Sequence, residues 1–233
     1  MDLKAVIFNV DNVLYDARFQ KDAARINALR AMVEAGLPID VETGFRVLNE
    51  VVKEYGSDYQ MHFDEMLKRL GLKWNPRVIA AGVVAYRETS RAYLTPYPDT
   101  VPTIVKLRDI GLKIGIISSG NPVKQWQKLI NLGVQHLCHV VIMSSEYGKN
   151  RVDVELFNLL LNQVGLKPEE CMFVGGDFND IAVANQLGLL TVRVRRGGAS
   201  HEEAPEGLAK PRYELKSLKE LLYLVEELKA ESK

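Results

Sequence analysis

The sequence predicts an α/β fold: a doubly wound parallel sheet interrupted by an all-helical insert. Three observations predict it. An apolar run at residues 3–8 stops at Asn9-Val10-Asp11. Residues 16–93 carry helical periodicity alone. From residue 94 onward, short apolar runs alternate with helical segments. Such alternation marks strand–helix–strand units with right-handed crossovers.

Residues 3–8 read as a buried strand. Helices follow at 19–35, 41–55, 60–70 and 76–93, and the fourth can align Ile79, Val83, Ala85 and Tyr86 on one face. Gly36-Leu37-Pro38, Gly56-Ser57 and Gly71 punctuate them, and Thr95-Pro96-Tyr97-Pro98 ends the block. Asp99 suits the cap of a helix running to Gly111. Strands are expected at 113–118, 140–144, 171–175 and 190–194. Helices are expected at 123–133, opened by Asn121-Pro122, and at 153–165 and 179–187. A last helix stripes Leu218, Leu221, Leu222, Val225 and Leu228, and residues 197–211 read as a surface loop. The expected division is a core of residues 1–15 and 94–233 with a helical cap of residues 16–93.

At 233 residues, with 47% hydrophobic and 26% charged residues, the chain has the composition of a soluble globular protein. Lys+Arg and Asp+Glu both number 30, which speaks against nucleic-acid binding. No run approaches a membrane span, and no basic-then-apolar leader opens the sequence, so a cytoplasmic protein is expected. Cys138 and Cys171 lack metal-ligand spacing and read as buried free thiols. His62, His136, His139 and His201 show no metal or base spacing. Trp74, Tyr86 and Tyr93 read as helix-packing aromatics, with a substrate pocket as the alternative.

Ligands in open α/β sheets bind beyond the carboxyl ends of the strands. Asn9 and Asp11 project there, although a polar pair at a strand end also suits a simple turn. Ser118, Ser119 and Gly120 follow the second strand and can form a nest of donors for an anion, or a glycine turn. Gly148-Lys149-Asn150-Arg151-Val152 brings two cations to the start of a helix. Gly175-Gly176-Asp177-Phe178-Asn179-Asp180 offers two carboxylates, which suit a hard cation. Asp177 or Asn179 equally suits a helix cap.

These four motifs, in this order at successive strand ends, resemble those of the haloacid dehalogenase-like (HAD) superfamily, mostly phosphatases. The resemblance covers essentially the whole chain and implies a Rossmann-like core with a helical cap acting as a lid. The family's first motif is Asp-x-Asp-x-Thr/Val, and its first Asp is the nucleophile. Asn9 holds that position here. The resemblance implies catalytic positions at Asn9, Asp11, Ser118 and Arg151, with Asp11 as general acid and base. It implies phosphate binding by Ser118, Ser119, Gly120 and Arg151. Arg151 takes the place of the family's Lys, with Lys149 as a competing candidate. Implied Mg²⁺ positions are Asn9, Asp11, Asp177 and Asp180, with binding weak or absent because an amide replaces a carboxylate. Asp177 and Asp180 are three residues apart, where the family uses four or five.

Residues 121–126 and 79–86 are similar to an archaeal branch assigned as glyceraldehyde-3-phosphate phosphatases. The expected function is a phosphatase-type hydrolase of small phosphorylated metabolites with a degenerate site and weak or lost activity. The alternative is a silent relative that binds a phosphorylated ligand or a protein partner. A dehalogenase is disfavoured, because that chemistry also uses the missing Asp.

Overall fold

The computed structural model describes residues 2–197 and 203–230. The chain divides into two compact units: residues 1–17 with 95–233, and residues 18–94.

In the larger unit six parallel strands form one sheet: β1 (Ala5–Phe8), β2 (Lys113–Ser118), β3 (Val140–Met143), β4 (Cys171–Gly175), β5 (Leu190–Val194) and β6 (Tyr213–Leu215). Their order is β3-β2-β1-β4-β5-β6. The sheet is therefore doubly wound, and the direction of winding reverses between β1 and β4. That reversal opens a crevice at the carboxyl ends of these two strands. Asn9 backbone N–H donates to Val174 O at 3.0 Å, carrying the ladder one step past β1.

β1 is buried along its whole length, as a central parallel strand covered on both faces must be. Ala5 and Ile7 share one cluster with Ile117, Ile142, Phe173 and the helix α7 (Val154–Val164). Phe157 of α7 meets Phe173 edge to face, with ring centroids 5.1 Å apart. Helices α5 (Thr100–Asp109), α6 (Pro122–Asn131), α8 (Phe178–Leu187) and α9 (Leu218–Ala230) complete the unit. Asn121 caps α6 by accepting from Lys124 N, and Asp153 caps α7 by accepting from Leu156 N.

The segments flanking the insert are fastened inside this unit. Leu14 O accepts from Tyr97 N at 3.0 Å and from Thr100 Oγ1 at 2.7 Å. Arg196 donates to both oxygens of Asp99 and to Val13 O.

The smaller unit holds four helices, α1 (Ala17–Glu34), α2 (Val41–Tyr55), α3 (His62–Arg69) and α4 (Pro76–Ala92), with the first residue of α1 contributed by the larger unit. Met32, Leu48, Val51, Met66, Leu67 and Val78 form its core. Tyr86 packs edge-on against Phe63, and Tyr93 against Phe19. Trp74 is exposed and donates to Asp64.

The strands at 113–118, 171–175 and 190–194 have the expected bounds, whereas β1 begins at Ala5 and β3 ends at Met143. β6 is not among the expected strands and lies just past the loop expected at residues 197–211. Residues 198–202 of the expected loop, including His201, lie outside the described residues. Among the described residues, no helix is long and apolar enough to cross a membrane. Cys171 is buried and free, while Cys138 is free but only partly buried.

Candidate active site at the carboxyl ends of β1 and β4

The chain turns sharply after β1. Leu14 N donates to Val10 O at 3.0 Å, and Asn12 adopts a positive φ of 60°. Asn tolerates this left-handed backbone better than most residues. The turn leaves Asn9 and Asp11 at the crevice.

Asn9 Nδ2 donates to Asp180 Oδ2 at 2.6 Å. Asp180 lies in the first turn of α8 and is 9% exposed. Burial pushes its carboxyl up to about 7, the negative charge of Asp177 adds to the rise, and Asn9 and Arg151 oppose it. Asp177 occupies a different place. It is exposed and caps α8, accepting from Asn179 N at 2.7 Å. Of the two carboxylates, Asp180 is the one joined to Asn9.

Asp11 meets two donors. Lys128 Nζ on α6 lies 2.6 Å from Asp11 Oδ1, and Tyr15 OH lies 3.0 Å from the same oxygen. Sequence reasoning missed both partners. Lys128 sits among the polar residues of an ordinary amphipathic helix, and no motif marks it.

The segment after β2 is knitted to its surroundings. Ser118 Oγ donates to Gln125 Oε1 at 3.3 Å. Ser119 Oγ accepts from Val152 N at 3.1 Å, and Ser119 O accepts from Gln125 Nε2 at 2.9 Å. Gly120 N donates to the buried Ser144 Oγ at 3.2 Å. Gly120 has a φ of 109°, and a Cβ there would come within 3.0 Å of Gln125 Nε2. The positive φ calls for glycine, and a Cβ would also press on the Gln125 amide.

The two cations after β3 differ. Lys149 Nζ lies 2.8 Å from Asp153 Oδ2 and 2.5 Å from Glu155 Oε2, so the start of α7 engages it. The hydrogen bonds it donates to these carboxylates raise its pKa. Arg151 is exposed, and its charge reaches Asp180. Among the described residues, no three His, Cys, Asp or Glu side chains gather as a metal cluster.

The family model for haloacid dehalogenase-like hydrolases matches residues 3–188. The chain belongs to the haloacid dehalogenase-like hydrolase family. A glyceraldehyde 3-phosphate phosphatase of Methanopyrus kandleri is 45% identical over 97% of this chain and 98% of its own length. One from Methanocaldococcus jannaschii is 38% identical over 97% and 99%. Among solved structures, a putative beta-phosphoglucomutase from Thermotoga maritima superposes with a TM-score of 0.73 at 16% identity, covering 97% of this chain and 99% of that one. This HAD-like chain thus shares its fold with distant relatives and most of its length with archaeal ones.

Proposed function

We propose that this HAD-like chain is built on a phosphatase framework for a small phosphorylated metabolite and has lost the covalent step. The two archaeal relatives named as glyceraldehyde 3-phosphate phosphatases support the substrate class. One observation carries the loss of chemistry: at the strand end where the family places its nucleophilic Asp, Asn9 donates an amide hydrogen to Asp180.

A carboxylate oxygen can attack phosphorus and form an acyl phosphate. The carboxamide is neutral, and its nitrogen lone pair is delocalised. Loss of a covalent nucleophile lowers kcat by about 10⁴-fold or more. Ser118, Ser119 and Gly120 would hold the phosphate oxygens once Ser118 Oγ and Gly120 N exchange Gln125 and Ser144 for the ligand, with Arg151 as cation. In this reading Asp11 is the remaining acid–base group.

Mg²⁺ in this family neutralises charge on the phosphate and the nucleophile. The residues here do not fit that ion well. Position 9 offers an amide that donates to Asp180, Lys128 and Tyr15 both hold Asp11 Oδ1, and Asp177 caps α8. Mg²⁺ depends on one or two carboxylates in such sites.

The test is hydrolysis of glyceraldehyde 3-phosphate and p-nitrophenyl phosphate with and without Mg²⁺. The wild type is expected to show no enzymatic turnover. Turnover at an ordinary enzyme rate, roughly 1–10³ s⁻¹, overturns the reading.

A further inference from the structure

Lys128 stands outside every motif in the chain, yet it reaches the site. Its side chain is 16% exposed, and its Nζ lies 2.6 Å from Asp11 Oδ1. Tyr15 OH donates to that same oxygen, and the Lys128 ammonium sits 5.9 Å from the centroid of the Tyr15 ring. An ammonium and a hydroxyl thus converge on one anionic oxygen in a half-buried place. Charge-assisted hydrogen bonds of this kind are the strong ones. The Asp11 carboxylate occupies them as a ligand oxyanion would.

Two further groups at the site suit an anion. Asn9 contributes no charge, and Arg151 adds a positive one close enough to act on Asp180. β1 and β2 are paired neighbours, so the Ser118 segment begins beside the same strand end.

We propose, on the phosphatase-framework reading above, that the site binds a phosphate-type oxyanion without Mg²⁺ and that the oxyanion displaces Asp11 from Lys128. Lys128 supplies the positive charge that a metal supplies in a site with more carboxylates. Asp11 is then an internal competitor for the ligand. Exchange of one anion for another keeps the Lys128 ammonium paired, while the displaced Asp11 carboxylate, 30% exposed, turns to solvent.

The experiment is isothermal titration of the full chain with inorganic phosphate, once in EDTA and once in MgCl₂. The wild type is expected to bind equally in both. Lys128→Met should weaken binding about tenfold or more, as removal of one charge-assisted contact does. Lys128→Arg should retain most of it, which separates loss of charge from loss of fold. Lys106→Met, an exposed lysine on α5, should bind as wild type. Asp11→Asn should tighten binding in EDTA, and the gain should vanish in the Lys128→Met background, a coupling that loss of negative charge alone does not produce. Binding that requires Mg²⁺ overturns the proposal. So does unchanged affinity in Lys128→Met, weaker binding in Asp11→Asn, or no binding in the wild type at millimolar phosphate. Each readout is equilibrium binding, so the proposal can fail while the absence of turnover stands, and the reverse.

Discussion

Arg193 on β5 pairs with Glu214 on β6 across 2.9 Å while its guanidinium lies 4.0 Å from the centroid of the Phe178 ring. Arg193 is fully buried, and Phe178 is the first residue of α8, two positions before Asp180. The sheet edge is in this way tied to the helix that carries Asp180.

Removing the charge of the acid leaves the buried guanidinium without its main countercharge. Glu214→Gln should lower the free energy of unfolding by roughly 2 kcal/mol, less than for a fully buried pair because Glu214 keeps contact with water. Urea denaturation measures this. A loss under a few tenths of a kcal/mol would show that the pair does little for the fold.

The Asn9–Asp180 contact governs what reversion can achieve. Asn9→Asp puts a second carboxylate 2.6 Å from Asp180, and like charges that close cannot both ionise without penalty. Stability at neutral pH should fall by about 1–3 kcal/mol and recover toward acid. Phosphatase activity should appear only weakly, since misplacement by about 1 Å can lower a rate roughly 10²-fold. The check is a panel of small phosphate esters with thermal melts at several pH values. A reverted enzyme with ordinary rates and undiminished stability would defeat this expectation.

Asp180 also sets a pH dependence. Its folded-state value of about 7 lies above the value near 4 of an unfolded carboxylate. Between roughly pH 4 and pH 7 the folded chain keeps a proton that the unfolded chain has released. Stability contributed by this group therefore falls as pH rises through that window, by at most about 4 kcal/mol. Asp180→Asn should flatten the decline. Parallel stability–pH curves for wild type and variant count against it.

Gly120 is constrained twice, by its backbone and by Gln125. Gly120→Ala should destabilise by about 2 kcal/mol, through positive-φ strain plus contact. Gly111→Ala, with a φ of 87° and open space around the new Cβ, should suffer the strain alone. The difference between the two in urea denaturation reports the contact. Equal losses would mean that Gln125 simply swings aside.

Most of the scaffold was legible because its signals are local. β2, β4 and β5 are apolar runs too short for helices, and Asn121-Pro122 announces α6. β6 was not legible, since three residues with Glu214 in the middle present no period. The site divides in the same way. Asn9, Asp11 and Ser118 lie on or just past strand ends, which a sequence reveals. Asp177 and Asp180 could not be told apart by spacing, because a cap and a ligand both favour Asp. Only the fold shows that one caps α8 and the other meets Asn9. Lys128 was hidden for a different reason. It lies 117 residues from Asp11, and its helix reads as an ordinary solvated one.

The central place of β1 has a consequence for biosynthesis. The strand is made before both of its neighbours, which begin at residues 113 and 171. Until they emerge its two hydrogen-bonding edges have no native partner, and exposed strand edges invite pairing with other chains. The four-helix insert emerges during that wait and can collapse on contacts of its own. A nascent chain halted before residue 171 thus holds every core residue of the insert and β2, yet the edge of β1 that pairs with β4 is still open.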